Sequence, residues 1–142
     1  METQELLDRE DRAWLAFVDA LSLVPDARRE DEGVVPGWSV KDLVWHCGYW
    51  TGYVADLLER AARGEGPASD QDWDGVNAIV LEEGRGMTWD EIIVRTEGHR
   101  ARLRRALPTV PELTAELLED YAGETYDHYD EHAAEIRAFA AV

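Results

Sequence analysis

The segment WSVKDLVWHCGYWTGYVADLLERAARG, Trp38 to Gly64, constrains the fold more than any other stretch. Its apolar residues Val40, Leu43, Val44, Cys47, Trp50, Val54, Leu57 and Leu58 recur at intervals of three and four. That spacing places them on one face of an α-helix and on no single face of a strand. Ser39 can accept from the backbone N–H three residues on, and Asp42 stands where its carboxylate can reach back, so the helix start is capped. Gly64 follows Arg63 as a C-terminal stop. A long helix with one apolar face must bury that face against other helices.

The rest of the chain supplies them. Leu7, Trp14, Phe17, Val18, Leu21 and Val24 form a first helical stripe, stopped by Pro25 and followed by the polar link PDARREDEGVVPG. After Gly64, the stretch GEGPASDQDWDGVNAIVLEEGRG is long for a helix connection and holds a short helix around Trp73–Glu83. A crossover of that length can span a bundle, so the second and third main helices need not be antiparallel. Thr88 and Glu91 form another capping box, opening a third helix from Trp89 to about Leu107 with Trp89, Ile92, Ile93, Leu103 and Leu107 inward. PTVP ends it. A short helix over Thr114–Tyr121 leads to a last helix from about Thr125 to Ala141. Strand signals are absent. The expectation is an all-α four-helix bundle with short additions, one domain over residues 1–142.

Charge narrows the partners. There are 31 acidic residues against 14 basic, a net charge of −17. Phosphate backbones and anionic lipid repel such a chain, so neither nucleic acid nor a membrane is expected as a partner. One basic run, RTEGHRARLRR from Arg95 to Arg105, reads as a solvated helix face paired with carboxylates, or as a site for an anion. No long apolar span and no signal segment is visible, and the single cysteine, Cys47, suits a reducing compartment; the expected location is the cytoplasm.

The last helix carries the chemistry. Counting back from Ile136 by threes and fours reaches His132 and His128, so both continue its inward stripe. An i, i+4 pair of imidazoles can converge on one cation. His46 lies on the flank of the second helix's buried face, and His99 lies near the inward stripe of the third. A buried imidazole needs partners for its ring nitrogens: hydrogen-bonded core histidines would meet that need one at a time, and a shared metal would satisfy one nitrogen on each at once. Cys47 is about 100° around the helix from His46, so it is not expected to bind the same ion; it reads as a small core residue, with a redox or nucleophilic role as the alternative.

GWSVKDLVWH, Gly37 to His46, together with TYDHYDEH, Thr125 to His132, resembles the DinB/YfiT-like superfamily. That group includes the N-terminal domain of mycothiol-dependent maleylpyruvate isomerases and the bacillithiol S-transferases. The resemblance implies a four-helix bundle with three metal ligands, which fall here on His46, His128 and His132. It implies a divalent ion, zinc or nickel first, and in some members a low-molecular-weight thiol. The isomerases carry a carboxylate where this chain has His128.

Three protein ligands leave a coordination position open for a nucleophile, either water or a thiol. Glu124 and Glu131 flank His128 and are candidates for the general base or an extra ligand, with solvated surface carboxylates as the alternative. Asp42 either orients His46 or only closes the capping box. Tyr49, Trp50, Tyr53, Asn77, Tyr121 and Tyr129 are candidate pocket residues, and Trp38 a packing staple at the second helix's entry. The leading expectation is thiol-dependent transfer to a small electrophile. The alternatives are metal-dependent hydrolysis and a non-catalytic bundle that sequesters a small molecule. The expected partner is a small-molecule substrate, with association into a homodimer left open.

Overall fold

The computed structural model describes residues 2–67 and 71–142. Four long helices form the bundle: α1 (Thr3–Ser22), α2 (Val40–Ala62), α4 (Trp89–Ala106) and α6 (Tyr126–Ala140). The shorter α3 (Trp73–Arg85) packs on α2, and α5 (Ala115–Glu124) packs on α6 and α2. α2 lies along α4, and α1 along α6. No helix among the described residues is long and apolar enough to cross a membrane.

α2 is the axis of the structure. All eight apolar positions of its predicted stripe are buried, and the Ser39–Asp42 capping box is closed from both sides. α4 approaches it so closely that a Cβ at Gly48 would collide with the Thr96 side chain; glycine is required by that contact. α1 buries Leu6, Glu10, Ala13, Trp14, Phe17 and Ala20. Val18, expected inward, is exposed, and Leu7 and Leu21 are only partly covered. The true register passes through Glu10, and a carboxylate on the inward stripe hides that register from an apolar count. Trp14, Phe17 and Tyr129 join α1 to α6 through ring contacts at 5.3 to 6.1 Å.

A small departure lies in the link after α1. Where no strand was expected, β1 (Glu32–Val35) and β2 (Trp38–Ser39) pair in an antiparallel ribbon. Pro36 and Gly37 make the turn, with φ +81° at Gly37, a conformation that favours glycine. The strands are too short for an alternating pattern to register. The ribbon packs against α6. Arg28 ties the same link to the end of α6, stacking over Phe139 and donating to the Phe139 and Val142 carbonyl oxygens.

Most of the basic run is consumed in ion pairs. Arg100 donates to both oxygens of Glu10 at 2.7 and 2.8 Å, and Arg104 donates to one of them at 2.8 Å. Arg102 pairs with Asp56 and Glu59. Arg100 is buried, so the solvated-face expectation fails there: the residue crosses the α1–α4 seam to reach Glu10, which has no exposed surface.

Candidate metal centre

The second turn of α2 and the first two turns of α6 bring His46, His128 and His132 to one place. Their ligand-capable atoms all lie within 4.8 Å of one another, and among the described residues this is the group of three or more such side chains that could hold a metal ion. Nε2 of His46 faces Nε2 of His128 at 3.1 Å. Two nitrogens bound about 2.0–2.1 Å from one tetrahedral ion stand roughly 3.3 Å apart, so the observed spacing suits a shared cation. His132 lies beside both, with ring centroids 4.5 Å from His128 and 5.6 Å from His46.

The protonation chemistry agrees with that use. Burial, and then the neighbouring His132, lower the pKa of His46 to about 4. The same causes, with His46 added, lower that of His128 to about 3. Both rings are therefore neutral at pH 7, as ligands must be. One proton at most can lie between the two facing Nε2 atoms, and each Nδ1 is buried without a full hydrogen bond. The Glu124 backbone lies close to the His128 ring, and the Glu124 carboxylate stands 3.9 Å from its Nδ1. Nδ1 of His132 is held by the Glu135 carboxylate, which fixes the proton on that side and leaves Nε2 as the free lone pair.

A cleft of about 390 Å³ opens beside the imidazoles. His46 and His128 line it together with Trp50, Tyr53, Trp73, Asn77, Asp120 and Glu124. Trp50 donates to Asn77 Oδ1 at 2.9 Å, which turns the Asn77 amide so that its nitrogen remains as a donor. Burial, and then Asp120, raise the pKa of Glu124 to about 7. A carboxyl group in that state exchanges a proton readily at neutral pH. α5 and α6 are separated only by Thr125, whose hydroxyl donates to the Tyr121 carbonyl at 2.6 Å. This bend sets Asp120 and Glu124 at the same opening as His128.

These observations meet one from comparison. The family described as mycothiol maleylpyruvate isomerase N-terminal domain matches residues 7–117, well over half of the chain. The chain belongs to this family. No curated protein and no solved structure matches it. The family match contains His46 and stops before α6, so His128 and His132 are added to the mycothiol maleylpyruvate isomerase N-terminal domain pattern by the geometry described above.

Other candidates fall elsewhere. Glu131 is exposed and does not line the cleft. Asp42 closes the capping box and lies 3.5 Å from Arg85, so it leaves Nδ1 of His46 without a partner. Cys47 is fully buried, and burial raises its thiol well above the ordinary value. His99 is separate from the trio: with Tyr49, Gly52, Tyr53 and Asp56 it lines a second cavity of about 430 Å³. Burial, and then Arg102, lower its pKa. Tyr121 and Tyr129 belong to the core, donating to the Leu6 carbonyl and pairing with the Thr51 hydroxyl respectively. Trp38 does more than staple, since its ring meets His46 edge-on at 5.2 Å. Sequence reasoning missed Glu135, Trp73 and Asp120. Glu135 stands three residues after His132 as Glu131 stands three after His128, so the spacing signal for it was present.

Proposed function

We propose that this protein is a divalent-metal-dependent enzyme in which a low-molecular-weight thiol is transferred to a small electrophile in the cleft. The observation that carries the reading is the convergence of three imidazoles beside a cleft containing Glu124. The thiol comes from the family description, which names mycothiol. A three-imidazole set suits zinc or nickel. Such an ion, when bound, would supply Lewis-acid activation that favours the thiolate at neutral pH.

The chain's own residues account for the remaining work. Glu124 accepts the thiol proton as the sulfur–carbon bond forms. The electron pair displaced from the electrophile then takes that proton back, at carbon or on a leaving group. The Asn77 amide nitrogen donates to a substrate carbonyl. Trp50, Tyr53 and Trp73 displace water from the reacting groups. Glu135 holds His132 in one tautomer.

The test uses protein purified without a histidine tag and without added metal. Bound metal per chain is measured first. Mycothiol and other small thiols are then offered with an electrophile such as monochlorobimane, in parallel with hydrolysable esters and no thiol. One metal per chain, with thioether formation that falls at least tenfold in Glu124→Gln, supports the reading. Ester hydrolysis without any thiol requirement would replace it with hydrolysis, for which Glu124 is equally well placed. Failure to take up any divalent ion would overturn both.

A further inference from the structure

The cleft has a charge bias that metal binding alone does not require. Its lining includes two carboxylates, Asp120 and Glu124, and no lysine or arginine. Among the described residues neither carboxylate has a basic partner beyond the 3.9 Å approach of Glu124 to His128. Both belong to α5, which also carries Glu116 and Glu119. The same cleft is walled by Trp50, Tyr53 and Trp73, whose ring centroids lie 5.2, 5.5 and 5.6 Å apart with planes at 65° to 75°. Three rings at steep mutual angles make a corner of π surface. His128, nine-tenths buried, lines the cleft with its Nδ1 unpartnered.

An anionic substrate would lose its hydration beside two carboxylates and find no side-chain cation in return. An organic ammonium would be attracted by Asp120, by Glu124 in its ionised form, and by the ring faces, which bind weakly hydrated cations within about 6 Å of their centroids. The aromatic corner also distinguishes that ligand from a small hydrated metal ion, which an acidic pair alone would hold.

We infer that the cleft selects a small organic cation, an ammonium-bearing substrate whose charged end sits between the Asp120–Glu124 pair and the Trp50–Tyr53–Trp73 corner. Placing its uncharged reactive end toward the histidines rests on the function proposed above. The charge preference does not, and it holds in metal-free protein.

The probes are benzyltrimethylammonium, benzyl alcohol and benzoate, titrated into the full chain with and without zinc. Tryptophan fluorescence and calorimetry read the binding. In metal-free protein the ammonium binds about tenfold more tightly than the alcohol, and benzoate shows no binding. Asp120→Asn lowers ammonium affinity about tenfold and leaves the alcohol unchanged. Trp73→Ala lowers it about threefold to fivefold, and Trp73→Phe restores most of the loss. Asp120 and Trp73 are both partly exposed, so neither change threatens folding. Benzoate binding as tightly as the ammonium, or ammonium affinity indifferent to Asp120→Asn, would overturn the inference. Full metal uptake without cation preference removes this inference and leaves the metal reading. Cation preference without metal uptake does the reverse.

Discussion

Two buried polar clusters sit in the same bundle and are built on opposite terms. On the α1–α4 seam, Glu10 has no exposed surface, yet Arg100 and Arg104 give it three charged hydrogen bonds at 2.7 to 2.8 Å. Between α2 and α6, His46 and His128 turn like atoms toward each other and leave their Nδ1 atoms without partners. The first cluster is complete as it stands. The second is incomplete without something more. The contrast separates polar groups that lock helices together from polar groups that, on the function proposed here, are kept ready for a ligand, and it does so within one core and one solvent.

The comparison can be broken most forcefully at the complete cluster. Glu10→Gln leaves two guanidinium groups short of their counter-charge, and Arg100 is buried. Loss of one partner of a buried pair costs about 3–5 kcal/mol. Urea unfolding should register that loss, while metal bound per folded chain stays at the wild-type level.

The next effect comes from the incomplete cluster. Ligand that binds only the folded state stabilises it by about 4 kcal/mol at a thousandfold excess over Kd. Zinc should raise the melting temperature of wild-type protein and do almost nothing for His132→Ala. A His132→Ala variant that keeps its zinc-induced shift would show that the ion, if any, sits elsewhere.

Acid sharpens the contrast in metal-free protein. Unfolding returns His46 and His128 to an ordinary pKa of about 6.5, from about 4 and about 3 when folded. The unfolded chain therefore binds more protons, and the stability these groups contribute above pH 6.5 is lost as pH falls from there toward 4. Glu124 works the other way. Its folded value of about 7 exceeds the ordinary carboxylate value, so the folded state takes up the proton first and gains stability as pH falls from 7 to about 4.5. Two histidines against one carboxyl leave a net loss on the order of 1 kcal/mol per pH unit. Thermal unfolding of chelator-treated protein from pH 7 to 4.5 should show a fall that steepens in Glu124→Gln.

The smallest effect is close to neutral. His128→Leu exchanges a buried ring with an unpaired nitrogen for an apolar side chain. The metal-free protein should change by no more than about 1 kcal/mol, since removing the unpaired His128 nitrogen offsets the hydrogen bond that His46 Nε2 loses. Every comparable change at Glu10 should cost stability. A loss of about 3 kcal/mol or more in metal-free His128→Leu protein would mean that the histidine cluster holds the bundle together after all.

The same division explains what could be read from the sequence. The stripe of α2 and the bundle that follows from it were legible because burial there depends on apolar residues at fixed intervals. The convergence of His46 with His128 and His132 was legible because each lies on or beside such a stripe. Glu10 was not, because a carboxylate in an inward position looks like an error until Arg100 and Arg104 are seen to reach it. The cleft was legible only in part. Trp50, Tyr53 and Asn77 were anticipated, whereas Trp73 and Asp120 reach it from α3 and α5, short helices whose placement is decided by packing across the chain. Asp42 was ambiguous on spacing alone, and the capping box resolves it.

The single-residue joint at Thr125 makes the cleft a matter of angular phase. Glu124 closes one helix, and His128 stands in the first turn of the next. A helix advances about 100° per residue, so a residue added between Thr125 and His128 within the first turn of α6 would shift the phase of everything after it. One insertion would swing both histidines away from the carboxylates while leaving every one of those side chains intact. Length variation at this point is therefore far less tolerable than substitution. The cleft therefore depends on the length of this joint as well as on the residues that line it.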